Sequence, residues 1–153
     1  MFDLILRNGT VVTPHGVSEQ DVAVSGEIIS AITAPNIIGE DQVTKSIDAT
    51  GKIVMPGGID PHVHCKWIMP MPDGSVGYTD GPEIVSRAAL FGGTTTMIDF
   101  AARIEDIPFK DIIKKRDQDW DNNCYCDYSY HLMLLGDVEP PVLSEIEQLI
   151  ADG

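Results

Sequence analysis

The chain has 153 residues, the length of one average domain, and 43% of them are hydrophobic, enough to bury a core. Its 24 acidic residues outnumber 10 basic ones, for a formal net charge of −14. That balance argues against a nucleic-acid partner, whose phosphates need a basic footprint, and no apolar run approaches the length of a membrane span.

The start, Met1-Phe2-Asp3-Leu4, lacks the charged and apolar regions of a signal peptide. The three cysteines, Cys65, Cys124 and Cys126, are an odd number without Cys-x-x-Cys spacing. A disulfide framework is therefore not expected, and a reducing cytoplasm is the default location.

Residues 1–54 read as short strands and turns. Leu4-Ile5-Leu6 meets Asn8-Gly9, a hairpin signal, and Val11-Val12 follows. Val22-Ala23-Val24 meets Ser25-Gly26, and Ile28 to Ile32 follows; Ile47-Asp48-Ala49 and Lys52-Ile53-Val54 close the series. His15 falls in a Pro/Gly turn and is expected to be exposed. This is a small β-rich module with no chemistry of its own.

The rhythm changes over residues 55–153. A strand is expected at 58–64. A loop from Cys65 to Tyr78 carries Pro70, Pro72, Gly74 and Gly77. A helix opens at Asp80 with Glu83 completing a capping box. Ile84, Val85, Ala88, Ala89 and Phe91 give its apolar stripe, and Gly92-Gly93 ends it.

Thr94 to Phe100 is a β-branched second strand. Pro108 begins a second helix with Phe109, Ile112, Ile113, Arg116 and Trp120 along one side. Tyr125 to Leu135 is a third strand. From Pro140 a third helix uses Leu143, Ile146, Leu149 and Ile150, with Gly153 as its C-cap. The alternation β-α-β-α-β-α predicts parallel strands covered by helices. A doubly wound sheet or a TIM barrel needs more strands, so this reads as the front of something longer or as a part completed by another segment.

The chemistry concentrates in Met55-Pro56-Gly57-Gly58-Ile59-Asp60-Pro61-His62-Val63-His64. On a strand, side chains alternate, so His62 and His64 point the same way with Asp60 in line. Two imidazoles projecting together are half of a metal site. The bland reading is two histidines at a strand end, one hydrogen-bonded and one exposed. The preceding glycines, Asp60, and the position at the carboxyl end of the first βα strand favour the metal reading. Pro61 argues against an undisturbed central strand, and a loosened strand end would accommodate it.

These residues, with Phe91-Gly92-Gly93-Thr94-Thr95 and a strand ending at Asp99, resemble the cyclic amidohydrolases, in particular the dihydropyrimidinase and D-hydantoinase family. Asp3 to Gly9 and Ala49-Thr50-Gly51-Lys52 also resemble the β module preceding the barrel of those enzymes. The resemblance covers the whole chain but only about the first third of such an enzyme.

It implies an α/β fold: the first three βα units of a TIM-barrel metal-dependent hydrolase, an incomplete (β/α)8 catalytic domain at 55–153. Part of a small β-sandwich domain would precede it at 1–54. It implies His62 and His64 as ligands of one metal, usually zinc, in a centre of two divalent ions, with Asp60 and Asp99 at best supporting the ligands. No catalytic residue is expected within this segment; the bridging lysine and catalytic aspartate are expected after Gly153. Lys110, Lys114 and Lys115 fall on the second helix, outside a barrel.

The implied reaction is hydrolytic ring opening of a dihydropyrimidine or a 5-substituted hydantoin to an N-carbamoyl amino acid by a metal-bound hydroxide. The implied partner is a small cyclic amide, and the implied assembly a homotetramer. Both histidines must be neutral to bind metal, so activity is expected to fall as pH drops through their titration.

The loop residues Cys65, Lys66, Trp67, Ile68, Met69 and Met71 resemble the loop over the ring substituent in hydantoinases. They read either as an apolar substrate wall or as a connector with buried hydrophobes. Lys66 occupies the place where dihydroorotases have a carboxylate-binding arginine; it is solvent-facing or meets an acidic substrate group. His131 reads as a satisfied core or barrel histidine rather than a ligand. The three cysteines read as packing residues. The alternatives are allantoinase or dihydroorotase and, from another class, a non-catalytic scaffold or signalling relative.

Overall fold

The computed structural model describes residues 1–104, 107–137 and 139–152. Two compact units divide the chain, Met1–Pro56 and Gly57–Gly153.

The first unit is one sheet. Its strands are β1 (Phe2–Thr13), β2 (Gly16–Ser25), β3 (Ile28–Thr33), β4 (Val43–Asp48) and β5 (Ile53–Val54). The order is β3-β2-β1-β4, with β5 also beside β1. β1, β2 and β3 form antiparallel hairpins, while β4 and β5 run parallel to β1. Ile5, Ala23 and Ile38 form a buried cluster, with Phe2, Ala31 and Val43 against it.

The expected turn at Ser25-Gly26 forms, with Gly26 at φ 58°. The expected turn at Asn8-Gly9 does not. β1 runs straight through it, and the reversal comes at Pro14-His15. Asn8 takes φ 57° as a bulge, where the register shifts between Leu6 and Gly9. Buried Asp21 stabilises this conformation: its carboxylate accepts the Asn8 N–H at 2.8 Å and the Asn36 N–H at 2.9 Å. The Arg7 guanidinium balances its charge at 3.2 Å. An Asn-Gly pair thus serves as a bulge because a carboxylate across the sheet takes the freed donor.

The second unit opens with β6 (Gly58–Asp60). An antiparallel arm follows, β7 (Ile68–Pro70) against β8 (Val76–Tyr78). Then come α1 (Pro82–Phe91), β9 (Thr94–Ala102), α2 (Phe109–Trp120), β10 (Asp127–Met133) and α3 (Pro140–Asp152). The sheet order is β10-β9-β6, and both pairings are parallel. Each strand therefore lies beside its successor, as expected when every crossover turns the same way. Gly57 allows the entry: a Cβ there would stand 2.1 Å from Thr95 Oγ1.

Helix α1 begins at Pro82 after an N-cap Gly81 that makes no side-chain bond, so the expected Asp80/Glu83 capping box is absent. Proline at the first helical position supplies the start instead. Its inward face is Pro82, Val85, Ser86 and Ala89; Ile84, Ala88 and Phe91 are exposed, Phe91 to 87%. In α3, Val142, Ile146 and Leu149 pack inward, while the expected Leu143 and Ile150 are exposed. Both helices carry two adjacent apolar stripes, and periodicity cannot say which one meets the sheet. Helix α2 buries Phe109, Ile112 and Trp120 as its pattern predicts. The expected C-cap of α3 at Gly153 lies outside the described residues.

One face of β9 points to the helices and carries Met97, Asp99 and Ala101, all buried. Met97 joins Val63, Cys65 and Trp120 in one cluster; Ala101 joins Phe109 and Ile112 in another. Asp99 is fully buried there. It accepts from the Trp120 indole N–H at 3.1 Å and is ion-paired with Arg116. Tyr128 and Tyr130 donate to Asp121 and Asp117, tying β10 to the end of α2.

Because the Asp99 carboxylate has no access to water, Arg116→Met should destabilise the fold by about 3–5 kcal/mol. Urea unfolding checks this, and an unchanged midpoint would contradict the role given to the pair.

Candidate functional site

The expected strand at 58–64 is cut short. Its ladder with β9 ends at Asp60, because Pro61 has no N–H to give. The alternation nevertheless persists. Val63 and Cys65 turn into the core beside Met97, and His62 and His64 turn to the opposite, exposed face.

Side chains from several elements hold this segment in place of a ladder. Asp60 Oδ1 accepts the His62 N–H at 3.1 Å, and the Val63 N–H still reaches the Ile98 carbonyl at 3.0 Å. The Pro61 carbonyl meets His131 Nε2 at 2.9 Å. The Thr79 hydroxyl donates to the His64 carbonyl at 2.5 Å, and Arg116 Nη2 donates to the Cys65 carbonyl at 2.5 Å. Three successive tethers thus come from β10, from the residue after β8, and from α2.

The rings of His62 and His64 converge. Their Nε2 atoms are 3.1 Å apart and their centroids 4.9 Å apart. Both rest on Phe100, at 4.7 and 4.9 Å, and Trp67 closes on His64 at 4.6 Å. Two nitrogens sharing one tetrahedral zinc, at about 2.0–2.1 Å each, lie about 3.4 Å apart. The pair therefore fits a shared cation with little motion, once both Nε2 atoms present lone pairs. Among the described residues, no group of three or more His, Cys, Asp or Glu side chains could hold a metal ion. The pair by itself offers two nitrogens and no third ligand.

The other expected site residues divide between two faces. The Asp60 carboxylate braces the His62 backbone rather than a ring. Asp99 does not approach the histidines; it faces the helices with Arg116 and Trp120. Cys65 is 1% exposed in the core, and burial, with the Asp99 charge adding to it, pushes its thiol up to about 12. Lys66, at φ 50°, directs its ammonium to Asp119 at 2.7 Å, an aspartate that Arg116 also contacts.

Trp67 is anchored by its N–H to the Thr79 hydroxyl at 2.9 Å. Ile68, Met69 and Met71 belong to the β7–β8 arm or its turn and are exposed, as are Val76 and Tyr78. The expected loop is therefore an ordered hairpin with apolar side chains in reach of solvent. A cleft of about 650 Å³ lies between this arm and α2, lined in part by Trp67, Ile68, Tyr78 and Phe100.

Phe100, Thr79, Arg116 and His131 were not assigned to the site from sequence. Alternation on β9 is enough to find Phe100, since a buried Asp99 places its neighbour on the histidine face. No local signal points to the other three, which come from elements that meet only in the fold. His131 is satisfied, as expected, but it is exposed rather than buried in a core.

No family model matches the chain. It is 33% identical over 151 residues to the D-hydantoinase of Streptomyces coelicolor, covering 97% of this chain and 31% of that protein. A solved D-hydantoinase superposes with a TM-score of 0.82 at 33% identity, over 99% of this chain and 31% of the other. The dihydropyrimidinase of Brevibacillus agri superposes at 0.79 with 34% identity, covering 98% of this chain and 31% of that chain. The chain belongs to the D-hydantoinase and dihydropyrimidinase family of cyclic amidohydrolases. It spans about 31% of the length of the relatives it matches.

The burial of Cys65 has a chemical consequence. Its thiol stays protonated at pH 8, so iodoacetamide should leave it unmodified in the folded protein and label it in urea. Peptide mapping checks this, and rapid native labelling of Cys65 would contradict it.

Proposed function

We propose that the protein carrying this chain opens cyclic amide rings by hydrolysis, acting on dihydropyrimidines or 5-substituted hydantoins to give N-carbamoyl amino acids. His62 and His64 are proposed to hold one of two divalent ions, zinc by preference. The observation that carries this reading is the convergence of two Nε2 atoms at 3.1 Å at the carboxyl end of β6. Family membership over 97% of the chain supports it.

The same proposal extends to the architecture. Strand order in sequence and helices against one face favour residues 55–153 as the first three βα units of a (β/α)8 barrel. Residues 1–54 are then part of a β-sandwich. A cytoplasmic homotetramer is proposed by family analogy.

When bound, divalent ions supply Lewis acidity, polarising a ring carbonyl and lowering the pKa of water. His62 and His64 would present both Nε2 lone pairs, with their protons moved to Nδ1. Phe100 and Trp67 keep apolar surface against the rings and limit water beside them. The β7–β8 arm offers Ile68, Met69 and Met71 to the ring substituent. Neither a bridging ligand nor the proton carrier is assigned to residues 1–153. The pairing of Lys66 with Asp119 counts against dihydroorotate, because the ammonium is already engaged by a carboxylate.

Metal analysis of the protein should find bound divalent ion in wild type and a clear loss in the His62→Ala/His64→Ala double variant; equal content in both would end the metal assignment. Assays on dihydrouracil, hydantoin, allantoin and dihydroorotate should give turnover on the first two, and activity confined to dihydroorotate would overturn the substrate class.

A further inference from the structure

We infer that His131 is a positioning residue for the His62/His64 pair, holding the Pro61 carbonyl so that the two imidazoles keep their convergent spacing. This rests on the metal role proposed above. Pro61 ends the paired β6–β9 register at Asp60, and beyond it the Val63 N–H to the Ile98 carbonyl is the bond to β9, which leaves the Pro61 carbonyl to another donor. His131 sits on β10, which is not a neighbour of β6; β9 lies between them. Its ring reaches across β9, passing Phe100 at a centroid distance of 5.2 Å, and meets the Pro61 carbonyl at 2.9 Å.

A carbonyl only accepts, so His131 Nε2 carries the proton and donates. Nε2 is thereby committed to the carbonyl, and among the described residues His131 does not join His62 and His64 in a group of three ligands, so its role toward them is that of a brace. The brace spans the face on which both ligand rings lie, because His62, His64 and His131 all contact the same Phe100 ring. Losing it frees the one carbonyl between Asp60 and His62 that the sheet cannot hold.

The test compares wild type, His131→Leu, His131→Gln and His62→Ala/His64→Ala. Zinc affinity is read by chelator competition, and the visible spectrum is recorded with cobalt(II) substituted for zinc. His131→Leu should weaken metal binding by about 10–100-fold and change the cobalt spectrum. His131→Gln, whose amide N–H can replace the donor, should recover most of both.

Wild-type affinity and spectrum in His131→Leu would overturn the inference, as would a Gln variant as weak as Leu. If the double alanine variant also keeps its metal, the metal assignment itself fails; if it alone loses metal, only the role of His131 fails. In the unmutated protein, ¹⁵N spectra of labelled histidine should place the His131 proton on Nε2. A proton on Nδ1 would overturn the inference without any variant.

Discussion

Everything in the second unit is arranged around a backbone interruption at Pro61. A proline at the end of a strand removes a ladder hydrogen bond and leaves neighbouring carbonyls to find other donors. Here those donors are the side chains of His131 on β10, Thr79 just after β8, and Arg116 on α2. Apart from the Val63 N–H bond to Ile98 of β9, the segment is therefore held by side-chain contacts. Its position depends on β10, the β7–β8 arm and α2 all being in place.

The same segment has two faces with opposite demands. Toward the helices, Val63 and Cys65 pack with Met97 and Trp120, and a buried ion pair fixes the end of β9 against α2. Away from the helices, His62 and His64 lie on Phe100 with their nitrogens converging. Arg116 links the two sides: one guanidinium bonds the Asp99 carboxylate, the Phe100 carbonyl and the Cys65 carbonyl. A half-buried side chain of α2 thus holds the backbone where it leaves the histidine pair.

Much of this was legible in the sequence because it depends on local rules. The βα alternation, the turn at Ser25-Gly26, the apolar side of α2 and the common direction of His62 and His64 follow from periods and turn chemistry. The failures have a shared cause. Asn8-Gly9 makes a bulge because Asp21, distant in sequence, accepts the Asn8 N–H. Helices α1 and α3 each offer two apolar stripes, and only the sheet selects one. Asp99, which the resemblance implies at best as a support for the ligands, is turned by the pleat to the other face, where Arg116 and Trp120 receive it.

The sequence alone determined that two histidines share one side of a short element at the start of a βα series, because the two-residue period is a property of the chain itself. It also carried the resemblance to the cyclic amidohydrolases, which the comparisons bear out at the level of family. Only the tertiary structure decided what holds those histidines, which face Asp99 serves and where Lys66 spends its charge. Those outcomes depend on hydrogen-bond partners dozens of residues away, such as His131 for Pro61 and Asp119 for Lys66. Such pairings arise when β10 and α2 fold back beside β6, and no local pattern in the chain encodes them.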